Sequence, residues 1–266
     1  KRVRNAGMLM NISDIYESNN LISHIIKVII TLIILYALSF VCAFLYYYFK
    51  RRVIYFKYNR FVVSGTYGNI LDYIGASKVN LIVPVNSCFD TKIDESVIST
   101  NSLHGKVIKF LYDNNLVSQT VLDKKIKSSL KEQGISSVNI GNDVKKGGKS
   151  VGNYNRYPIG STAFVDIGNV RYHFIALSII ENNKNAVTND QDYLTVLNAI
   201  VDNCFRNSNG NPIYLPLIGS GLSKLNYNHQ QQLEFMVKYF MLRKTKLTSD
   251  VEIVIRKEDG DTISIL

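Results

Sequence analysis

The residues Ile213-Tyr214-Leu215-Pro216-Leu217-Ile218-Gly219-Ser220-Gly221-Leu222-Ser223 carry an apolar strand straight into a Gly-Ser-Gly turn. Glycines at the carboxyl end of a strand let backbone N–H groups approach a ligand closely, and a run of such amides forms a concave seat for phosphate oxygens. A plain tight turn uses the same residue types, so the segment alone leaves both readings open. Leu81-Ile82-Val83-Pro84-Val85-Asn86 ends a second buried strand in an amide side chain. Ligands of open α/β sheets bind beyond the carboxyl ends of the strands, so Asn86 and the Gly219 to Gly221 loop are expected to face one crevice. Two other patterns carry less. Gly147-Gly148-Lys149-Ser150 ends like a P-loop, but Asp143 stands where the first glycine belongs and no apolar strand leads in, so it reads as a solvated loop. Cys88 as nucleophile with His104 as base is a lone Cys/His pair, and Cys88 reads as an ordinary buried thiol. His173, inside a strand pattern, and His229, opening the last helix, read as structural, while His24 flanks an apolar run.

The elements that must hold these residues alternate. Phe61 to Val63, Leu81 to Val83, Ser161 to Asp166, Val170 to Leu177, Ile213 to Leu217 and Val251 to Ile255 are β-branched or apolar runs that predict strands. Between them, Leu103 to Tyr112 and Tyr193 to Phe205 carry apolar residues at helical spacing, and Asn228 to Arg243 is similar. Strands alternating with helices of this length predict an α/β sandwich around a parallel or mixed sheet. Ser136 to Tyr157, rich in Gly and Asn, breaks the pattern and reads as a long mobile excursion. No internal repeat is found.

Of the 266 residues 46% are apolar, with 16 Gly and only four Pro, which excludes a disordered or collagen-like chain. Val28 to Phe49 is an uncharged run. At about 1.5 Å per residue it reaches roughly 33 Å, against about 30 Å of bilayer hydrocarbon. It runs through Tyr46, Tyr47, Tyr48 and Phe49 into Lys50, Arg51 and Arg52, an interfacial aromatic belt followed by a stop-transfer cluster rather than a signal-peptide cleavage site. With Lys57 and Arg60 that cluster predicts a cytoplasmic C-terminal part, although Lys1, Arg2 and Arg4 flank the other side and an earlier span is conceivable. Lys27 stands near the end of the run, and Ser39 and Ala43 form a small-xxx-small pair that permits close helix packing. One span cannot line a pore alone, so any membrane damage requires oligomerisation. The formal charge is +10; after residue 50, 26 Lys or Arg stand against 19 Asp or Glu. That modest excess suits anionic lipid or a phosphate-bearing ligand, and no aromatic-basic stripe marks a nucleic-acid binder. Cys42, Cys88 and Cys204 have neither disulfide-framework nor zinc spacing, so no metal or cofactor is expected.

Together the two strand ends resemble the macro domain, an ADP-ribose-binding α/β/α module. Ile82 to Asn86 is similar to its "IVNAAN" strand, whose last Asn contacts the distal ribose, and Leu215 to Gly221 to its "PAIGTG" diphosphate loop. The chain order agrees. Ser99-Thr100-Asn101-Ser102-Leu103-His104-Gly105 falls where the family has its first Gly-rich ligand loop, without the usual glycine string. Gly68-Asn69-Ile70 sits at the family's "GDI" turn, so Asn69 replaces the adenine-reading carboxylate. The resemblance spans roughly residues 60 to 257. It implies a three-layer α/β/α sandwich with a mixed central sheet, preceded by a transmembrane α-helix. The resulting division is a flank over 1–20, the helix and basic cluster over 21–52 and a macro-like domain over 53–266. The ligand-binding residues it implies are Asn69, Asn86, Ser102, Leu103, His104, Gly105, Ile218, Gly219, Ser220, Gly221 and Leu222, with no catalytic residue.

A membrane anchor followed by such a domain is similar to the macro-domain effectors of the bacterial Thoeris anti-phage systems. That resemblance implies a receptor in the inner membrane with its macro domain in the cytoplasm. Its ligand would be an ADP-ribose derivative, such as an amino-acid conjugate, made from NAD by a partner TIR-domain enzyme. The implied output is homo-oligomerisation and disruption of the lipid bilayer, ending in cell death or growth arrest. The rival is a membrane-anchored ADP-ribosyl hydrolase, for which Asn86, Asp90 and His104 are the available polar groups.

Overall fold

The computed structural model describes residues 21–49, 52–75, 77–95, 97–141, 151–180, 186–219 and 227–265. The chain divides into two compact units between Arg51 and Arg52. In the first, helix α1 (Leu21–Phe49) is 29 residues long. Its stretch Ser23–Tyr46 has a mean hydropathy of 2.8 and none of it is buried, so it is long and apolar enough to cross a bilayer.

The second unit is built on a mixed sheet. Its elements in chain order are β1 (Arg52–Tyr58), β2 (Phe61–Tyr67), β3 (Val79–Asn86), α2 (Leu103–Asp113), α3 (Gln119–Glu132), β4 (Val138–Asn139), β5 (Asn155–Arg156), β6 (Thr162–Ile167), β7 (Val170–Ile180), β8 (Ala186–Val187), α4 (Asp190–Ala199), β9 (Ile213–Pro216), α5 (His229–Leu242) and β10 (Val251–Ile255). Across the sheet the order is β1-β2-β10-β9-β3-β7-β6, with β8 paired to the end of β7. The five inner strands β2, β10, β9, β3 and β7 are parallel, and the edges β1 and β6 run antiparallel to their neighbours.

Strand alternation builds two cores. On one face Ile82, Ile175, Ile213, Leu215, Val251 and Ile253 pack under α4 and α5. On the other, Leu81, Val83, Val85, Tyr172 and Phe174 pack under α2 and α3. Each fully buried aliphatic or aromatic side chain contributes about 1.5–3 kcal/mol relative to exposure. Both cores are closed by capped helices: Ser102, Ser118, Asn189 and Asn228 each accept a backbone N–H of the first turn, and Asn228 with Gln231 forms a reciprocal capping box. The helix expected over 193–205 is α-helical only to Ala199 and continues as a π turn, Ile200–Cys204.

Besides the two-residue strands β4, β5 and β8, two elements were not anticipated, β1 and α3. The excursion expected over 136–157 is in part ordered: β4 and β5 pair antiparallel, and Tyr157 N–H donates to Ser87 O at 2.9 Å. Residues 142–150, with the P-loop-like Gly147 to Ser150, lie outside the described residues.

Candidate functional site

All five parallel strands point their carboxyl ends at one edge of the sheet, and the sequence-derived candidates lie along it. At the end of β2, Gly68 N–H donates to Ile255 O of β10 at 2.8 Å. Asn69 follows, exposed, with its Oδ1 accepting from Leu71 N–H at 3.1 Å to cap the single 3-10 turn Ile70–Tyr73. At the end of β3, Asn86 Oδ1 accepts from the N–H groups of Cys88 (3.1 Å) and Asp90 (3.4 Å). Asn86 thereby folds its own following turn, in which buried Phe89 takes a left-handed φ of 50°.

β9 is the neighbour of β3, and the hydrogen-bonded ladder between them is short. Their ladder holds only Asn80 with Ile213 and Leu81 with Tyr214, whereas β3 pairs with β7 through eight residues up to Asn86. Beyond the last pair each strand carries a proline, Pro84 and Pro216, which has no N–H to offer a neighbour. The hydrogen-bonded ladder between the two strands therefore stops short of Asn86 and of the turn after β9. In that turn Ile218 is buried and its N–H donates to Met236 Sδ at 3.4 Å, and Gly219 has φ +87°. A β-branched residue does not take that conformation without strain. Ser220, Gly221 and Leu222 lie outside the described residues.

The 99–105 segment joins the same edge through His104, whose ring bonds the backbone of Asp90. His104 is only 8% exposed, and burial pushes its pKa down to about 3, so it is a neutral imidazole at physiological pH. Ser102 caps α2 by accepting from Gly105 N–H at 3.0 Å and donates its own hydroxyl to Ser99 O at 2.7 Å. Leu103 packs against the α2/α3 core. At Gly105 a Cβ would stand 2.2 Å from Ser99 O, so this glycine lets the helix start press on the preceding loop. Asp90 is buried and accepts from Asn153 N–H. Asn86, Asp90 and His104 are thus neighbours, tied to one another largely through the backbone that they organise.

Sequence reasoning missed two features of this edge. One is Asn153, whose Nδ2 donates to Phe89 O at 3.0 Å and to Asp123 Oδ1 at 3.3 Å, strapping the β5 segment over the turn after Asn86. Beneath that strap lies a cavity of about 230 Å³, bounded by Cys88, Phe89, Asp123, Lys127 and Tyr157 among others and by none of Asn69, Asn86 or Gly219. The other is a set of buried polar atoms without a partner among the described residues: Ser87 Oγ just after Asn86, Tyr193 Oη in the first turn of α4 and Gln232 Oε1 in the first turn of α5. α5 follows β9, which ends at this edge, and α4 follows β8, which pairs antiparallel with the end of β7. Buried polar atoms of folded proteins are rarely left unpaired, and those at ligand sites are completed by the ligand or by water. Among the described residues no cluster of His, Cys, Asp and Glu fits a metal ion.

A three-layer α/β/α sandwich with an Asn at one inner strand end and a glycine turn at its neighbour is the architecture of a macro domain. The model of the family described as Thoeris protein ThsA, Macro domain, matches residues 63–256, and the chain belongs to that family. A relative, Thoeris protein ThsA of Bacillus amyloliquefaciens (strain Y2), is 25% identical over 188 residues, covering 69% of this chain and 59% of that protein. The chain thus spans about three fifths of the length of the curated relative that it matches.

Proposed function

We propose that the chain is a membrane-anchored receptor of Thoeris anti-phage defence whose macro domain binds an ADP-ribose-derived signal. The observation that carries this reading is the placing of Asn86, at the end of β3, beside a glycine turn of positive φ at the end of the neighbouring strand β9, with Asn69 on the same edge. Such an edge suits an elongated ligand with a central diphosphate: amides of the turn face the phosphates, Asn86 the distal ribose and Asn69 the base. Family membership supports the ligand class and the defence role. The signal, an amino-acid-conjugated ADP-ribose for instance, comes in this reading from NAD through a TIR-domain enzyme. α1 holds the receptor in the bacterial inner membrane, with the macro domain in the cytoplasm. Ligand-driven assembly of several chains then disrupts the bilayer and ends in cell death or growth arrest.

The domain acts as a sensor and not as a hydrolase. A hydrolase needs a base with access to a substrate water, and His104, the imidazole nearest Asn86 and Asp90, is buried and bonded to backbone. Isothermal titration of the full chain in detergent with ADP-ribose and its amino-acid conjugates tests the reading, with mass spectrometry watching for turnover. Binding without turnover, lost in Asn86→Ala and in Gly219→Val, is the expected result. Turnover moves the assignment to the hydrolase, and absence of binding removes both.

A further inference from the structure

β1 pairs antiparallel with β2, Arg52 opposite Thr66, so the strand begins at the carboxyl edge, close to the Gly68-Asn69 turn. The chain passes from α1 to Arg52 through residues 50 and 51 alone. Arg52 Nε meets Glu252 Oε2 of β10 at 3.0 Å, and its guanidinium also donates to Ser64 Oγ at 3.2 and 3.3 Å. The second carboxylate oxygen, Glu252 Oε1, accepts the Tyr73 hydroxyl at 3.0 Å. Tyr73 closes the 3-10 turn that Asn69 caps, and its ring stacks on Tyr214 of β9 with centroids 3.8 Å apart. Burial of the carboxylate differs from that of its partner: the Glu252 side chain is 14% exposed and that of Arg52 53%.

From this arrangement we infer that Glu252 is the relay between the crevice and the strand that follows the membrane helix. The inference rests on the receptor reading and adds how its signal leaves the site. Asn69 stands in the binding edge and at the same time sets the turn that aims Tyr73. A ligand that engages the Asn69 amide therefore acts on the Tyr73 hydroxyl through one helical turn. A carboxylate is rigid and planar, and this one has a donor committed to each oxygen. Moving the Tyr73 side of the group disturbs the charge-assisted bond to Arg52, because a largely buried carboxylate that loses a donor is left poorly solvated. Every step is a direct contact, so the coupling needs no long path through the core. Glu252 acts through other residues and is a positioning group.

The test uses the full chain in nanodiscs of phosphatidylethanolamine and phosphatidylglycerol, following amide hydrogen exchange with and without saturating ADP-ribose. In the wild type both 68–74 and 52–58 are expected to change their exchange. Glu252→Gln and Tyr73→Phe, the second of which keeps the ring stack and the fold, are expected to retain ADP-ribose affinity and the response at 68–74 and to lose the response at 52–58. A merely structural ion pair would lower the melting temperature of Glu252→Gln and leave the two responses linked. The relay is overturned if both variants keep the wild-type response at 52–58, or if the wild type responds at 68–74 with 52–58 silent. Failure of ADP-ribose to alter either segment overturns the receptor reading, and the relay goes with it.

Discussion

Gly105 is the residue of the site with the least tolerance. A methyl group there would meet the Ser99 carbonyl oxygen at 2.2 Å, and backbone rather than a flexible side chain would have to yield. Gly105→Ala is expected to lower stability by about 1–3 kcal/mol, as overpacking does, which chemical denaturation of the purified chain would measure. The buried imidazoles make a second residue-level prediction. His173 Nε2 lies 2.9 Å from Asn80 Oδ1, while Asn80 Nδ2 donates to Ser208 O and Asn211 O. The amide oxygen must then accept, which fixes His173 as the Nε2–H tautomer with its Nδ1 buried and unpartnered among the described residues. Burial holds both His104 and His173 at a pKa of about 3, below the ordinary 6.5. The unfolded chain takes up protons on both as pH falls below its ordinary value and the folded chain does not. Their contribution is thus complete above about pH 6.5 and declines as pH falls toward 3, by about 1.4 kcal/mol per pH unit for each histidine. Melting curves between pH 7.5 and 5 should show that slope, and His173→Gln, which retains a donor for Asn80, should reduce it by about half. The position of Asn86 at a strand end and of Gly219 in the turn after one was legible in the sequence because a β-branched run ending in an amide or a glycine is a local pattern. Whether His104 faced a ligand or the interior depended on the rotation of α2, which no local pattern fixes.

At the scale of elements, the strands and helices that bury a whole face were legible and those at the margin were not. α3 puts only Leu122, Ile126 and Leu130 into the core, and its four lysines dilute that stripe. β1 begins within the basic cluster and carries Arg52 and Lys57, so its residues read as a membrane-flanking segment, and what makes them a strand is pairing with β2. The strap around Asn153 was hidden for a similar reason, because its bonds run to Phe89, Asp90 and Asp123, far away in sequence. Asn153→Ala removes both side-chain bonds and frees the turn that keeps Phe89 at positive φ. A loss of about 1–2 kcal/mol is expected, together with faster proteolysis within 87–91. A stability equal to wild type would mean that the strap merely rests on the turn.

For the molecule as a whole, the separation at Arg51/Arg52 predicts that the two units can be parted. Removal of residues 1–51 should leave a chain that stays in the supernatant after ultracentrifugation of a lysate, melts cooperatively and retains affinity for ADP-ribose. The intact chain should sediment with membranes and be released by detergent and not by high salt, since burial of the apolar run Val28 to Phe49 is insensitive to ionic screening. Release by salt alone would mean that the basic residues hold the chain to lipid and that α1 does not span. The short ladder between β3 and β9 also divides the backbone hydrogen bonding of the sheet into two panels, β1-β2-β10-β9 and β3-β7-β6, joined by two residue pairs. A molecule long enough to reach from Asn69 on the first panel to Asn86 on the second acts as a clasp across the seam. Its binding free energy then appears as resistance to melting, rising with the logarithm of its concentration, and half-length fragments that reach a single panel bind without giving that resistance its full size.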